Sequence, residues 1–288
     1  MPLHTFCRHL SAQSRSLSGL GRGTRCLRLT VATAILCCVA FAATTKQYVL
    51  TIDPQALAVA QAAFTAMGGT QAITGYQDCL ASGTATIYAG GTPISYPITL
   101  KSKGLRETRV ELQKANGTSI RIVNQGQGAI VRPDGSVKTL YSNNTFYEHV
   151  NHVPLLSVLG VFGGGSVNLL YKGVAQVQGQ SENVIEIDFI PNLANGPLYA
   201  SMSSTLFFVN QTTNLVDKIQ RSTFYEGDQN DTVNEETYFS DYRSVNGMIV
   251  PFHQTVYADG QLETDLTFST VTLNVGLPDS DFSLPQAR

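Results

Sequence analysis

The sequence predicts a mainly β protein with two helical segments: a strongly curved antiparallel sheet, an incomplete β-barrel, with the helices on its concave side. Three observations predict it. Apolar and polar residues alternate with a period of two through most of the chain beyond residue 78, as half-buried strands require. Asn-Gly and Asp-Gly pairs recur between those stretches and supply the φ > 0 positions of two-residue hairpin turns. Only two stretches depart from that period, too few to cover both faces of a sheet of about ten or eleven strands. So large a sheet curls or closes more readily than it lies flat. The economical result is an apolar concave face under the helices and a polar convex face outside.

The first 42 residues stand apart from this fold. Arg8, Arg15, Arg22, Arg25 and Arg28 precede an almost wholly apolar run from Leu29 to Phe41, and Ala40-Phe41-Ala42 has the small-x-small form of a cleavage site. This is the pattern of a secretory signal peptide. A membrane anchor is the alternative, but about a dozen apolar residues fall short of the ~20 that cross a bilayer. Cys37 and Cys38 lie within the run, where Ile35-Leu36 does not supply the small residues a lipid-attachment site wants. The expectation is an exported, periplasmic protein cleaved near Ala42, without a transmembrane segment, whose residues 43–288 form one domain.

Removing residues 1–42 leaves 246 residues and takes five arginines from 19 basic residues, so 14 face 21 acidic ones, a net charge of −7. An acidic chain has no electrostatic footprint for nucleic acid or for an anionic membrane surface. Of five cysteines only Cys79 then remains, which excludes an internal disulfide. Stability must come from the core, and a chain of this size can bury one.

Taken in order, the elements read as follows. Asp53-Pro54 is an N-cap followed by proline in the first helical turn, and Gly68-Gly69 closes the segment. Leu57, Ala60, Phe64 and Met67 between them recur at helical spacing, a narrow apolar stripe suited to lie on a sheet. Ile94, Tyr96, Ile98 and Leu100 then alternate with polar partners, and Thr108, Val110 and Leu112 alternate with Glu107, Arg109 and Glu111. Pro97, which cannot donate to a ladder, argues for an edge or a bulge. Asn116-Gly117 and Asp134-Gly135 turn the chain.

The interruption runs from Asn143 to about Tyr171. Phe146 and Tyr147 begin it, Pro154 restarts a helix as a first-turn proline, and Leu155, Leu156, Val158, Leu159, Val161 and Phe162 are apolar on nearly every side. A helix apolar all round is buried or covers something apolar. Gly163, Gly164 and Gly165 give a flexible exit.

The sheet resumes after Gly179, with Ile185, Ile187 and Phe189 on one face and Glu186 and Asp188 on the other. Pro191 to Pro197 reads as a long turn. A hairpin around 211–214 follows, then a three-strand run turned by Asn246-Gly247 and Asp259-Gly260, in which Met248, Val250, Phe252 and Val256 share a face. Leu262, Leu266 and Phe268 are in one phase and Val271 and Leu273 in the other, which predicts a bulge near Ser269-Thr270. Residues 276–285 read as a capping loop.

Enzyme signatures are missing: there is no G-x-S-x-G, no H-E-x-x-H, no phosphate-cradling glycine loop and no cysteine with a histidine base. Cys79 reads as a small buried hydrophobe. Glu148, His149 and His152 suggest a metal site but lack a third strong ligand nearby, and His253 sits on the polar phase of its strand. No enzyme activity, metal or cofactor is expected.

Three segments carry a family resemblance: FFVNQTTNLVDKIQ at 207–220, FSDYRSVNGMIVPFHQ at 239–254 and GLPDSDFSLP at 276–285. With the helix-first order and the mid-chain helical insertion, this series resembles the bacterial outer-membrane lipoprotein-sorting proteins, the LolA-like superfamily. The resemblance implies a half-barrel whose helices form a lid over a hydrophobic cavity that carries acyl chains or other lipids. The carriers of that family use an arginine near the cavity mouth to hold the lid closed, a role that the resemblance does not carry to Arg106, Arg109 or Arg121 of this sequence. The expected function is a periplasmic carrier or sensor of a lipid or other hydrophobic small molecule. Phe146, Tyr147, Leu155, Leu156, Val158, Leu159, Val161 and Phe162 would form its lid and cavity, with Pro154 and Gly163–Gly165 as hinges. A filled interior, with the apolar helix as a fixed plug and another envelope protein as partner, is the alternative.

Overall fold

The computed structural model describes residues 48–88, 92–145, 153, 154, 156, 166–224 and 231–285. Among them one antiparallel sheet of thirteen strands carries the fold. Its first half comprises β1 (Asp78–Ile87), β2 (Ile94–Lys103), β3 (Glu107–Lys114), β4 (Gly117–Asn124), β5 (Gln127–Val131) and β6 (Val137–Thr139). The second comprises β7 (Val167–Val177), β8 (Gln180–Phe189), β9 (Thr205–Asn210), β10 (Val216–Phe224), β11 (Thr232–Val245), β12 (Met248–Ala258) and β13 (Gln261–Leu273). The helices are α1 (Pro54–Ala66), α2 (Gly69–Thr74), α3 (Ser142–Thr145) and α4 (Gly196–Ser203).

The strand order is β6-β5-β4-β3-β2-β1-β13-β12-β11-β10-β9-β8-β7. Every neighbouring pair but one is consecutive in sequence. The exception, β1 with β13, joins two meanders into a single sheet that does not close. The count exceeds the ten or eleven strands expected because β5 and β6 hold only five and three residues, too few for a period of two to show.

The bulge predicted near Ser269-Thr270 is present. Ser82 pairs with Thr270 and Gly83 with Phe268, leaving Ser269 unpaired. A Cβ on Gly83 would lie 2.0 Å from the Thr267 carbonyl oxygen, so only glycine lets the two strands approach there. The β2–β3 ladder stops at Ile98, so Pro97 sits where that side of β2 has lost its partner.

Helix α1 begins as predicted. The Asp53 carboxylate accepts from the amides of Gln55 and Ala56 at 2.7 and 3.2 Å, with Pro54 in the first turn. The Asp53 amide donates to the Leu169 carbonyl of β7, and the Met67 carbonyl accepts from Ile249 of β12. The helix is thus tied to an edge strand at one end and to the β11–β12 turn at the other. Ala56, Ala60 and Ala63 are fully buried, and such small side chains let the helix lie close on the sheet.

Two expectations need correction. Residues 191–197 are not simply a turn: a short 3-10 turn at Leu193–Asn195 leads into α4. Asn192 caps the 3-10 turn, Pro197 suits the first turn of α4, and Ser203 Oγ accepts from the Phe189 amide. Uncharged throughout, this segment gave little amphipathic signal. There are also more than two helical segments, because α2, α3 and α4 are too short to announce themselves by periodicity.

The C-terminal residues do form a cap. The Asp78 carboxylate, 2% exposed, accepts from the amides of Val275, Gly276 and Leu277 at 2.7–3.0 Å. The segment beyond lies against β3 and β4. Phe282 is fully buried, its carbonyl accepts from Asn124, and Arg109 donates to the Asp281 carbonyl.

Candidate functional site

The candidate site is the concave face of the sheet. Register assigns the residues to it, because directly paired residues share a face. Leu100 pairs with Val110, and Val110 with Arg121. On the other arm Leu169 pairs with Ile187. Residues from both arms belong to one core cluster with α1: Ile98, Leu169, Ile185, Phe207 and Phe252 are buried in it, and Leu100, Val110, Leu112 and Phe189 pack against it. The face is mainly apolar on both arms, with Arg121 among its residues.

The two arms meet across this face. Arg106, in the β2–β3 turn, places its guanidinium carbon 5.8 Å from the Phe189 ring of β8, a cation–π distance. A second bridge is made by α3. Asn144 donates to the Phe224 carbonyl of β10 at 3.0 Å, while Thr145 Oγ1 donates to the Gly126 carbonyl at 2.5 Å. Gly128 is where β5 admits it: a Cβ there would lie 2.8 Å from the Thr145 methyl. The helical insertion therefore starts between the arms.

Of the residues singled out for the lid and hinge, Phe146, Tyr147, Leu155, Val158, Leu159, Val161, Phe162, Gly163, Gly164 and Gly165 lie outside the described residues, as do Glu148, His149 and His152. Pro154 and Leu156 are described. They sit in a 3-10 turn in which the Leu156 amide donates to the Val153 carbonyl at 3.0 Å. Val153 is fully buried and Leu156 1% exposed, both inside the main core cluster with α1 and the sheet.

The three arginines separate. Arg109 faces outward, paired with Glu111 and bonded to the C-terminal segment. Arg121 shares the inner face with Val110, and Arg106 reaches across it. The alternation along β3 already sets Arg109 opposite Val110, whereas the inward place of Arg121 follows only from the register of β3 on β4.

The structure also assembles polar groups that sequence reading missed. Ser240, His253 and Asp265, on β11, β12 and β13, form a hydrogen-bonded chain at 2.7 and 3.0 Å. They belong to the same polar phase as Thr255, with Ser240 exposed and His253 and Asp265 about a third exposed, and they read as a cross-strand ladder. A cleft of about 410 Å³ lies beside the β11–β12 turn, lined by Gln71, Asn246, Asn274 and several glycines, a polar chemistry unlike that of an acyl-chain site. Cys79 is fully buried, and burial, with the Asp78 charge beside it, pushes its thiol up to about 12. Among the described residues no helix is long and apolar enough to cross a membrane.

No family model matches the sequence. No curated protein matches it either. Solved structures do match in fold. An outer-membrane lipoprotein-sorting-type protein domain from Vibrio parahaemolyticus superposes with a TM-score of 0.52 at 12% identity, over 78% of this chain and 95% of that one. A DUF1329-family protein from Desulfovibrio piger gives 0.51 at 14% identity, over 79% and 97%. A LolA-superfamily protein from Nitrosomonas europaea gives 0.50 at 14% identity, over 80% and 97%. The chain has a LolA-like fold, an open half-barrel of antiparallel strands.

Proposed function

We propose that this protein is an exported carrier or sensor that binds a lipid or another molecule with an acyl chain against the concave face. The observation that carries the reading is the continuous apolar inner face, contributed by both arms and met by Leu156 of the helical insertion. Burying an acyl chain there gains about 0.8 kcal/mol per CH₂, so eight methylenes supply about 6 kcal/mol before the entropy of ordering is subtracted. The insertion is the cover, hinged at Pro154 and Gly163–Gly165. Arg106 and Arg121 are the cations placed to hold a polar headgroup at the mouth. The similarity to lipoprotein-sorting-type and LolA-superfamily proteins supports binding as the function and argues against catalysis.

The test is uptake of a fluorescent fatty acid by the wild-type protein and by Leu156→Asp, with circular dichroism to establish that the variant is folded. The reading expects the charge to weaken uptake at least tenfold, about 1.4 kcal/mol. A folded variant with unaltered uptake argues against the insertion as cover. Export with cleavage near Ala42 is part of the proposal, and N-terminal sequencing of the protein recovered from cells checks it.

One observation favours the interaction-module alternative. Leu198 and Met202, four residues apart on α4, are 57% and 37% exposed, and Val49 in the adjoining lead segment is 77% exposed. Tyr48 packs directly against Gly196, where a Cβ would lie 2.1 Å from its ring. From Phe189 to Val216 the chain has no charged residue. An apolar patch of this kind is suited to another envelope protein. It predicts that Leu198→Asp leaves fatty-acid uptake intact while abolishing partner capture.

A further inference from the structure

The start of β8, the end of β9 and the start of β10 meet at a corner that holds two carboxyl groups and too few hydrogens. Glu182 is fully buried and Asn210 is 6% exposed. The Asn210 amide has a fixed orientation, because its Oδ1 accepts from the backbone amides of Thr212 and Thr213 at 2.9 and 3.0 Å. Its Nδ2 therefore faces the acids, donating to Glu182 Oε1 at 3.2 Å and to Asp217 Oδ2 at 2.8 Å. An amide has two N–H hydrogens, and both are used. Glu182 Oε2 is buried with no donor among the described residues.

The neighbours that might supply one are committed elsewhere. Tyr242 of β11, buried and close enough for both acids to act on it, donates its hydroxyl hydrogen to the Val216 carbonyl. Lys218, next in sequence to Asp217, pairs with Glu236, and Lys172 of β7 pairs with Glu186. Tyr171 of β7 donates to Asn183. Asp217 is the extra residue of the β9–β10 bulge, which is what turns a second carboxylate toward the first. Both acids accept from the one Asn210 nitrogen, and a charge on buried Glu182 beside a second carboxyl group is costly. The missing donor is a hydrogen that one of them must carry. A cation is a poorer occupant, because both Asn210 N–H groups point into the site and, among the described residues, no third acid or histidine joins it.

We propose that Glu182 keeps its carboxyl proton at neutral pH beside Asp217, and that this proton is a latch on the β8–β9–β10 corner that opens when Glu182 loses it. The latch bears on the inner face, because the Val216 carbonyl that receives Tyr242 belongs to the residue preceding Asp217, and Val216 and Tyr242 both pack with the main core. Burial, reinforced by the Asp217 charge, pushes the Glu182 carboxyl up to about 8. The sign follows from linkage. A group whose folded value is raised contributes stability that is fully present below its unfolded value and is lost as pH rises through the folded one. The corner is therefore locked at mildly acid pH and loosens as pH rises through about 8.

The test compares wild type with Glu182→Gln, whose amide supplies hydrogens where that proton sat, by thermal denaturation from about pH 5 to about pH 9. Native-state hydrogen exchange at Thr212 and Thr213, corrected for intrinsic rates, is read at both ends of that range. Wild type should lose several degrees of Tm and most of the protection at the two threonines toward alkaline pH. Glu182→Gln should match wild type in acid and keep both in alkali, and Asp217→Asn should do the same. A Glu182→Gln protein with the wild-type pH dependence overturns the latch, as does wild type that keeps its protection in alkali. Stabilisation of wild type by millimolar calcium, absent in Glu182→Gln, overturns it in favour of a bound cation.

Discussion

Arg106 lies over the ring of Phe189 at 5.8 Å, although seven strands separate β3, which follows it, from β8 in the sheet. Two residues so far apart along a sheet can meet only if the sheet curls back on itself. The contact therefore measures the closure of the half-barrel, and it sets a cation at the rim of an apolar face. Arg106→Ala should weaken uptake of a fluorescent fatty acid several-fold, whereas Arg109→Ala, on the outer face, should leave it unchanged. Binding titrations of the two variants side by side check this; equal effects would remove the rim assignment.

The C-terminal segment is held by two kinds of contact of unequal worth. Its ion pairs, Lys101 with Asp281 and Lys103 with Asp279, are open to solvent and contribute little. Asp78 is buried and takes three amides at once. Asp78→Ala should cost about 3 kcal/mol, by the worth of charge-assisted bonds and the orphaning of buried amides. Lys103→Ala should cost far less than Asp78→Ala. Urea denaturation gives the ranking, and limited proteolysis should trim the segment in Asp78→Ala alone.

Gly83 and Gly104 make a matched pair. A Cβ on Gly83 collides with the backbone of Thr267 and Phe268 at the bulge, while Gly104, at φ +55°, has nothing within 4 Å. Gly83→Ala should cost about 3 kcal/mol or more, through overpacking that backbone cannot relieve. Gly104→Ala should cost about 1–2 kcal/mol, the strain of a left-handed alanine. Equal losses in chemical denaturation would show that the β1–β13 junction is looser than described.

With its thiol pushed up to about 12, Cys79 should resist alkylation in the folded protein at about pH 8, because the thiolate is the nucleophile. Its labelling rate should follow the unfolding rate as urea is added. Rapid labelling without denaturant would mean that β1 opens locally.

Much of the fold was legible because its signals are local. Asp53-Pro54 marked the start of α1, Asn246-Gly247 marked a hairpin, and the phase slip at Ser269 marked a bulge. Each is a statement about a few adjacent residues. Pairings that join distant residues were not legible. Nothing in the sequence near Asp78 announces that it anchors residues 275–277, or that Glu182 will meet Asp217. The first depends on β1 lying beside β13, the one pairing among the described strands not made between sequence neighbours, and the second on the register of β8, β9 and β10 and the bulge at Asp217. The site was legible in kind, since the inward alternation of Ile98, Leu100 and Val110 marks an apolar face. The inward place of Arg121 was not, since it needs the β3–β4 register.

The most direct test of the central claim is native mass spectrometry of the protein purified from cells without detergent, followed by organic extraction of the same sample. The carrier account predicts an added mass of several hundred daltons that extracts as lipid. A bare polypeptide mass, from protein that also refuses fluorescent fatty acids, would contradict it and leave the apolar face as filled core.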